Sequence, residues 1–410
     1  MIGWLVIVVS AAHGLDLDEA RASAAARAIE IHRQQALIDR ARATDLAAIA
    51  VSLPQIGGFA QATMSAGPNP FGRFTSRQAQ VGVSGSWRLI DPGAWGAAAA
   101  ARSSLRGERA LLDWSRALAR RDATVRFAEA VAAVEVADAL RMIEEDALRA
   151  AEGIRSLSSA GLRPASDAAR ADAAAASLTA DRVAAEGEVG ATCAALQVQL
   201  GPPIDGHCDL VAPATWPEPA STDVRHPALR AADAALQAAR RTHTASIASS
   251  APVIVGTASA AQNLGTAVVG DDTEQARDLS GLSLSAGVRA DLPLLGSGSG
   301  AARVRQTAAD RAAAEIGLDE QERLLASGRV AAEARYAASL SALDAGRAAL
   351  RATREALGLV DERYQQGLAG LTDLLDARRA RDEALVGLAR AGAAHGRALA
   401  ELEANRGIID

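Results

Sequence analysis

Period-two alternation occurs in each half of the chain, each time just ahead of a very long helical stretch. In the first half, apolar Val81, Val83, Trp87 and Leu89 alternate with Gly82, Ser84, Ser86 and Arg88. In the second, Leu282, Leu284, Ala286, Val288 and Ala290 alternate with Ser283, Ser285, Gly287, Arg289 and Asp291. One apolar and one polar face per segment predicts a β-strand with two different surroundings. Each segment is preceded by a proline (Pro54, Pro252), a weaker strand pattern (Gln55 to Thr63, Val253 to Ser259) and a turn-rich loop. Those loops are Ala66 to Arg77, with Gly67, Pro68, Pro70 and Gly72, and Ala261 to Leu279, with Gly265, Gly270, Asp271 and Asp272.

Behind each strong strand the pattern turns helical. Residues from Ala94 to Leu157 contain no proline, and a helix of that length extends ~90 Å at ~1.5 Å per residue. A break at Ser158 to Pro164, with Gly161 and Leu162, leads into a second helix from Ser166 to Leu200. The other half repeats the scheme: helix to Leu357, a break at Gly367 and Gly370, and helix again to Asn405. Shorter helices precede the strands, from Leu17 to Val51 and from His226 to Ser249. A unit of this size is too large for a solenoid repeat and predicts an internally duplicated fold. The organisation is residues 1–14 as a signal peptide, 15–200 as the first repeat, 201–225 as a proline-rich linker and 226–410 as the second repeat.

Four amphipathic strands cannot close into a barrel alone, and left open they present unpaired edges. In an exported chain the economical solution is a membrane barrel shared by several copies, lipid outside and water inside. Export is predicted by the apolar run from Ile2 to Val9, followed by small residues and a cleavage site at Ala12-His13-Gly14. That run is too short to span a bilayer as a helix.

Composition agrees with an extended helical body. Aromatic residues make up 3% of the chain while 49% is hydrophobic, much of it alanine, whose small side chain lets helices approach closely. The net charge is −6, and the 43 basic residues are all arginine, scattered along helices. With no basic patch, nucleic-acid binding is excluded.

Chemistry finds little foothold. The six histidines are scattered and form no metalloprotease or triad pattern, so no catalytic residue, cofactor or metal is expected. Gly296-Ser297-Gly298-Ser299-Gly300 mimics a phosphate loop, but the dinucleotide fold needs an ordinary helix and a parallel strand after it, so a flexible junction is the reading. Trp87 and Trp95, with Phe59, Phe71 and Phe74 nearby, fit either an interfacial belt or ordinary packing. Cys193 and Cys208 could form a disulfide, remain free thiols or bind metal with His207; an oxidising compartment favours the disulfide. Asp373 and Asp376 lie three apart at the start of the last helix, on one face, where acidic charge suits the helix dipole.

Taken together these pieces resemble the TolC-type outer-membrane efflux family over essentially the whole mature chain. The resemblance is carried by Leu15-Asp16-Leu17-Asp18-Glu19-Ala20, the two proline-led strand pairs, Leu292-Pro293-Leu294-Leu295, and the run from Arg363 through Gln366-Gly367-Leu368-Ala369-Gly370-Leu371-Thr372-Asp373 to Arg378. It implies a mostly helical fold with a membrane β-barrel: a homotrimer in which four strands per chain make one twelve-stranded barrel and long antiparallel hairpins form an α-barrel in the periplasm. The implied role is a passive, non-enzymatic exit duct in the outer membrane of a Gram-negative bacterium, surrounded by outer-membrane lipid. Its partners are a periplasmic adaptor and an inner-membrane transporter. By the same resemblance Asp373 and Asp376 line the periplasmic constriction as acidic rings, Tyr364 helps hold it closed, and Gly161, Leu162, Gly367 and Leu368 are adaptor-docking tips. Some members carry a basic residue where Ala369 stands; Arg163 of the first tip is the candidate substitute. The alternative is an exported coiled-coil structural or adaptor-like protein without a pore.

Overall fold

The computed structural model describes residues 14–69, 72–200, 209–213, 215–219, 225–269, 276–278, 280–292 and 298–408. The signal-like residues 1–13, Cys208 and His207, and Gly296 and Ser297 of the glycine-serine junction lie outside the described residues. In chain order the elements are α1 (Leu17–Arg27), α2 (Ile29–Ala50), β1 (Gln55–Asn69), β2 (Gly72–Ile90), α3 (Pro92–Ser159), α4 (Ala165–Leu200), α5 (Pro227–Ala248), β3 (Val253–Val269), β4 (Ala276–Asp278), β5 (Gly281–Asp291), α6 (Ser299–Gln365) and α7 (Leu371–Arg406). The fold is mostly helical, and the order helix, two strands, long helical hairpin occurs in both halves. The predicted first helix is broken at Ala28, which leaves helical geometry (ψ 136) and serves as the C-cap of α1.

The chain divides into two compact units, each drawing on both halves: residues 1–35, 110–228 and 321–410 in one, 36–109 and 229–320 in the other. The second unit holds the sheet. All neighbours are antiparallel, in the order β1, β2, β3, with β4 and β5 both pairing with β3 and so sharing the fourth position. Strands are longer than the pattern predicts. Residues 66–69 and 72–77, expected as loop, are paired in register from Ala66↔Thr75 to Asn69↔Gly72, and β3 continues from the expected Ser259 to Val269. Pro68 and Gly67 are tolerated because they sit at the far end of an outer strand, where one row of backbone groups has no partner to lose.

Register separates two faces. Ile56, Met64, Val81, Val83, Trp87, Leu264, Leu282, Leu284 and Val288 share one, and every one of them is at least 48% exposed. The other carries Gln61, Thr63, Gln78, Gln80, Ser84, Ser86, Ser259, Ser283 and Ser285, with side-chain hydrogen bonds Ser65–Ser76 (2.8 Å) and Ser259–Ser285 (2.7 Å). At the helical end of β2, Asp91 turns the chain: its Oδ1 accepts from Ala94 N (2.9 Å) as the cap of α3 and its Oδ2 accepts from Arg88 (2.8 Å). Pro92 then occupies the first helical position, where its missing N–H costs nothing.

The helical ends in the same unit pack through small residues. A Cβ on Gly96 of α3 would lie 2.7 Å from the Cβ of Ala245 in α5, so glycine is required for that approach. Arg241 donates to Ala99 O (2.9 Å), and Ser246 and His243 of α5 both meet Thr307 of α6 (2.8 and 3.1 Å).

Among the described residues the first unit has two cores. One joins Leu17, Ala20, Ala24 and Ile31 to Ala123, Phe127 and Val131 of α3 and Leu196 and Leu200 of α4. Within it Arg21 is buried, donating to Thr124 Oγ1 (2.8 Å) and Glu403 Oε2 (2.7 Å). The inter-repeat segment is fastened there: Leu15 and Leu210 form a β-bridge, and Trp216 packs against this core and edge-on to His395 of α7. The second core lies at the hairpin tips.

Candidate functional site

The two tips end in the same local structure. At the first, Gly161 has φ +76, its N–H donates to Ser158 O (3.0 Å), and Leu162 N donates to Leu157 O (2.9 Å). At the second, Gly367 has φ +73, donates to Tyr364 O (3.0 Å), and Leu368 N donates to Arg363 O (2.7 Å). This pair of bonds is the Schellman closure, and it favours glycine at the left-handed position because a positive φ strains a residue that carries a Cβ. Leucine in the next position ordinarily folds back onto its helix. Here Leu162 and Leu368 are 70% and 66% exposed, so each tip presents an apolar side chain to its surroundings.

The hairpins meet just behind the tips. Ala151 and Ile154 of α3, Ala171 and Ala175 of α4, and Leu371 of α7 are buried together, with Tyr364 and Leu375 packed against them. Tyr364 is half-buried; its hydroxyl is enclosed and has no hydrogen-bond partner. The guanidinium of Arg163 lies over its ring, 4.6 Å from the centroid. The residue after the first tip glycine-leucine pair thus reaches the tyrosine of the second hairpin, where Ala369 supplies no charge.

Asp373 and Asp376 are both exposed on one face of α7. Asp373 Oδ2 accepts from Gly370 N (2.9 Å), capping the helix start, which is the ordinary work of a carboxylate at that position. Asp376 is free of that duty. It lines a cavity of about 1090 Å³ bordered by α3, α4 and α7, with Asp146, Arg170, Arg378 and Asp382 also in its wall. Burial raises the Asp382 carboxyl, against the lowering effect of Arg381 and Arg378. The structure therefore brings Tyr364, Leu371 and the first-tip Arg163 together at one end of this unit, with the acidic pair on the helix that starts there.

Away from the tips, Cys193 is buried and takes part in a disulfide. Cys208, the partner available in the sequence, lies outside the described residues. The buried Arg21–Glu403 pair and the Trp216–His395 contact were not legible from local pattern, since each joins residues far apart in the chain. Arg163 carried one signal: it is the basic residue nearest the first tip glycine.

Several solved outer-membrane channels share this fold. The outer-membrane channel OprN superposes with a TM-score of 0.80 at 19% identity, over 95% of this chain and 89% of its own. CmeC of Campylobacter jejuni gives 0.80 at 15%, over 95% and 85%. The open-state MtrE channel of Neisseria gonorrhoeae gives 0.74 at 20%, over 95% and 88%. No curated protein matches the sequence. The chain has the fold of these channels. The family model described as outer membrane efflux protein matches residues 219–407, within the second half of the chain.

Proposed function

We propose that the protein is the outer-membrane exit duct of a tripartite efflux or secretion system, conducting solutes passively from a periplasmic adaptor and inner-membrane pump to the exterior. The observation that carries the reading is the sheet. Its apolar face is exposed over the described length of four strand positions, its opposite face is lined with serine, threonine and glutamine, and its outer strands β1 and β5 each pair on one side. Such a sheet satisfies its edges only by pairing with further copies, and its apolar face only by lipid. Three copies, four strands each, close one barrel of twelve strands, within the range of outer-membrane barrels.

In this reading the helix tips form the periplasmic entrance. Asp373 and Asp376 of three protomers make acidic rings at its constriction, Tyr364 holds the closed state, and the exposed Leu162 and Leu368 beside Gly161 and Gly367 receive the adaptor. A Cys193–Cys208 disulfide ties α4 to the inter-repeat linker. Rings of carboxylates attract divalent cations, which then obstruct the passage. Conductance in planar bilayers tests this: the Asp373→Ala, Asp376→Ala double variant is expected to lose most of the block by magnesium or calcium. Unchanged block removes the gate assignment, and a protein that neither oligomerises nor conducts removes the duct.

A further inference from the structure

The apolar face of the sheet carries one charge among its described side chains. On β2 that face runs Arg77, Ala79, Val81, Val83, Gly85, Trp87 and Leu89, and on β1 it runs from Ile56 through Ala60 and Ala62 to Met64. Arg77 lies between Met64 of β1 and Thr266 of β3, directly paired with both. Its side chain is exposed and makes no hydrogen bond or ion pair with any described residue. Charges at the helical end of the sheet behave differently: Arg88 is paired with Asp91 and Arg289 with Asp291.

The height of Arg77 in the sheet gives it meaning. Trp87, on the same face and strand near the helical end, lies ten residues away, or ~33 Å along a strand at ~3.3 Å per residue. Strands of outer-membrane barrels tilt by ~40°, so the vertical separation is ~25 Å, the height of the apolar band between the two interfaces. With Trp87 at one interface, Arg77 falls at the other, the one nearer the β1–β2 turn and therefore on the outer side. An arginine there extends out of the hydrocarbon into the layer of headgroups.

The surroundings of Arg77 are shaped to take more than water. A hollow of about 630 Å³ is lined by Arg77, Ala62, Ala79, Met64, Leu264 and Thr266, among others. Its floor is low because Ala62 and Ala79 are small, while Met64 and Leu264 stand 66% and 53% exposed on either side. A guanidinium and a threonine hydroxyl at the rim, above an apolar trough, match a ligand with an anionic head and hydrocarbon tails. Guanidinium binds phosphate through two parallel hydrogen bonds, which water alone does not replace.

We infer that Arg77 and Thr266 form a binding site for the phosphate headgroup of an outer-leaflet lipid, with the acyl chains seated over Ala62 and Ala79. The site rests on the duct reading, which sets the sheet in a bilayer. It is separate from the passage and from the tips, and it fixes the height of the barrel by an anchor opposite Trp87.

The test is native mass spectrometry of the full-length protein in detergent, with bisphosphorylated lipid A, its dephosphorylated form, or inorganic phosphate added. The unaltered protein is expected to retain the phosphorylated lipid about tenfold or more over the dephosphorylated one, the range for hydrogen bonds to a charged group. Arg77→Ala should abolish that preference and Arg77→Lys should keep only part of it, because an ammonium retains the charge and loses the paired hydrogen bonds, while millimolar inorganic phosphate should not displace the lipid. Equal retention of the two lipids by the unaltered protein overturns the inference without any variant. So does an unchanged preference in Arg77→Ala, and full displacement by phosphate reassigns the site to soluble anions. In the same samples, conductance separates this outcome from failure of the duct reading.

Discussion

Arg163→Ala is the most direct probe of how the tips are held together. The guanidinium stacked on Tyr364 is half-buried, between the exposed case at ~0.5–1 kcal/mol and the desolvated case at ~2 kcal/mol, so ~1 kcal/mol per protomer is the working figure. If three protomers open together, as a ring of tips would, the loss sums to ~3 kcal/mol and shifts the open-to-closed ratio roughly a hundredfold. Single-channel recording at fixed voltage reads that ratio directly. Tyr364→Ala should open the channel at least as far, since it also removes the ring's packing on the second core, and the double variant should go no further than Tyr364→Ala alone. Tyr364→Phe behaves differently. The tyrosine hydroxyl is enclosed and unpaired, so removing it relieves a desolvated group and leaves the ring for Arg163, and the closed state should hold or tighten. Arg163→Lys should open the channel partially, since an ammonium keeps the charge and loses the planar stack. Additive effects of the two alanine variants, or an open ratio unchanged by Arg163→Ala, would refute the latch.

Gly396→Ala places a Cβ 2.5 Å from Trp216 Cη2 and 2.8 Å from the Cβ of Ala128, a rigid neighbour, so a loss of ~1–3 kcal/mol is expected from overpacking, read as a lower thermal midpoint in detergent. Arg21→Met leaves the Glu403 carboxylate buried without its guanidinium and should cost ~3–5 kcal/mol, whereas Arg21→Met with Glu403→Met should recover most of it, because burial already raises the Glu403 carboxyl despite Arg21. Denaturant titration of both variants decides between the two. His395 is buried beside Ser339, and burial, then Arg347, lowers its pKa below the ordinary 6.5. The unfolded chain therefore takes up the proton first: stability is full above pH ~6.5 and falls as pH drops through the lowered value. Thermal midpoints at pH 7.5 and 5 should show this fall, and His395→Gln should reduce it.

Much of the architecture is legible in local pattern. The alternation around Val81 and Leu284, the proline-free run after Asp91-Pro92 and the glycine at each helix break identify strands, long helices and hairpin tips because each depends on residues a few positions apart. Gly161 and Gly367 adopt positive φ in equivalent closures, as their place after a long helix implies. Strand length was not readable in the same way. Pro68, Gly67 and Gly265 signal turns locally, yet β1 and β3 continue through them because β2 offers a paired partner for every residue from Gly72 to Arg88. Backbone pairing across strands outweighed the local preference.

The site divides along the same line. Asp373 and Asp376 could be found from their spacing, since a helix alone puts them on one face. That Arg163 lies on Tyr364, that Arg21 needs Glu403, and that Arg77 is the charge among the described side chains of an apolar face were decided by tertiary structure. Each depends on which elements meet, and a turn of helix or one step of strand register would undo it. The sequence by itself determined the periodicities, the breaks and the choice of small residues for close helix contact. Only the folded chain decided which charges found partners, because burial and pairing are properties of the packed surfaces and not of the segments that form them.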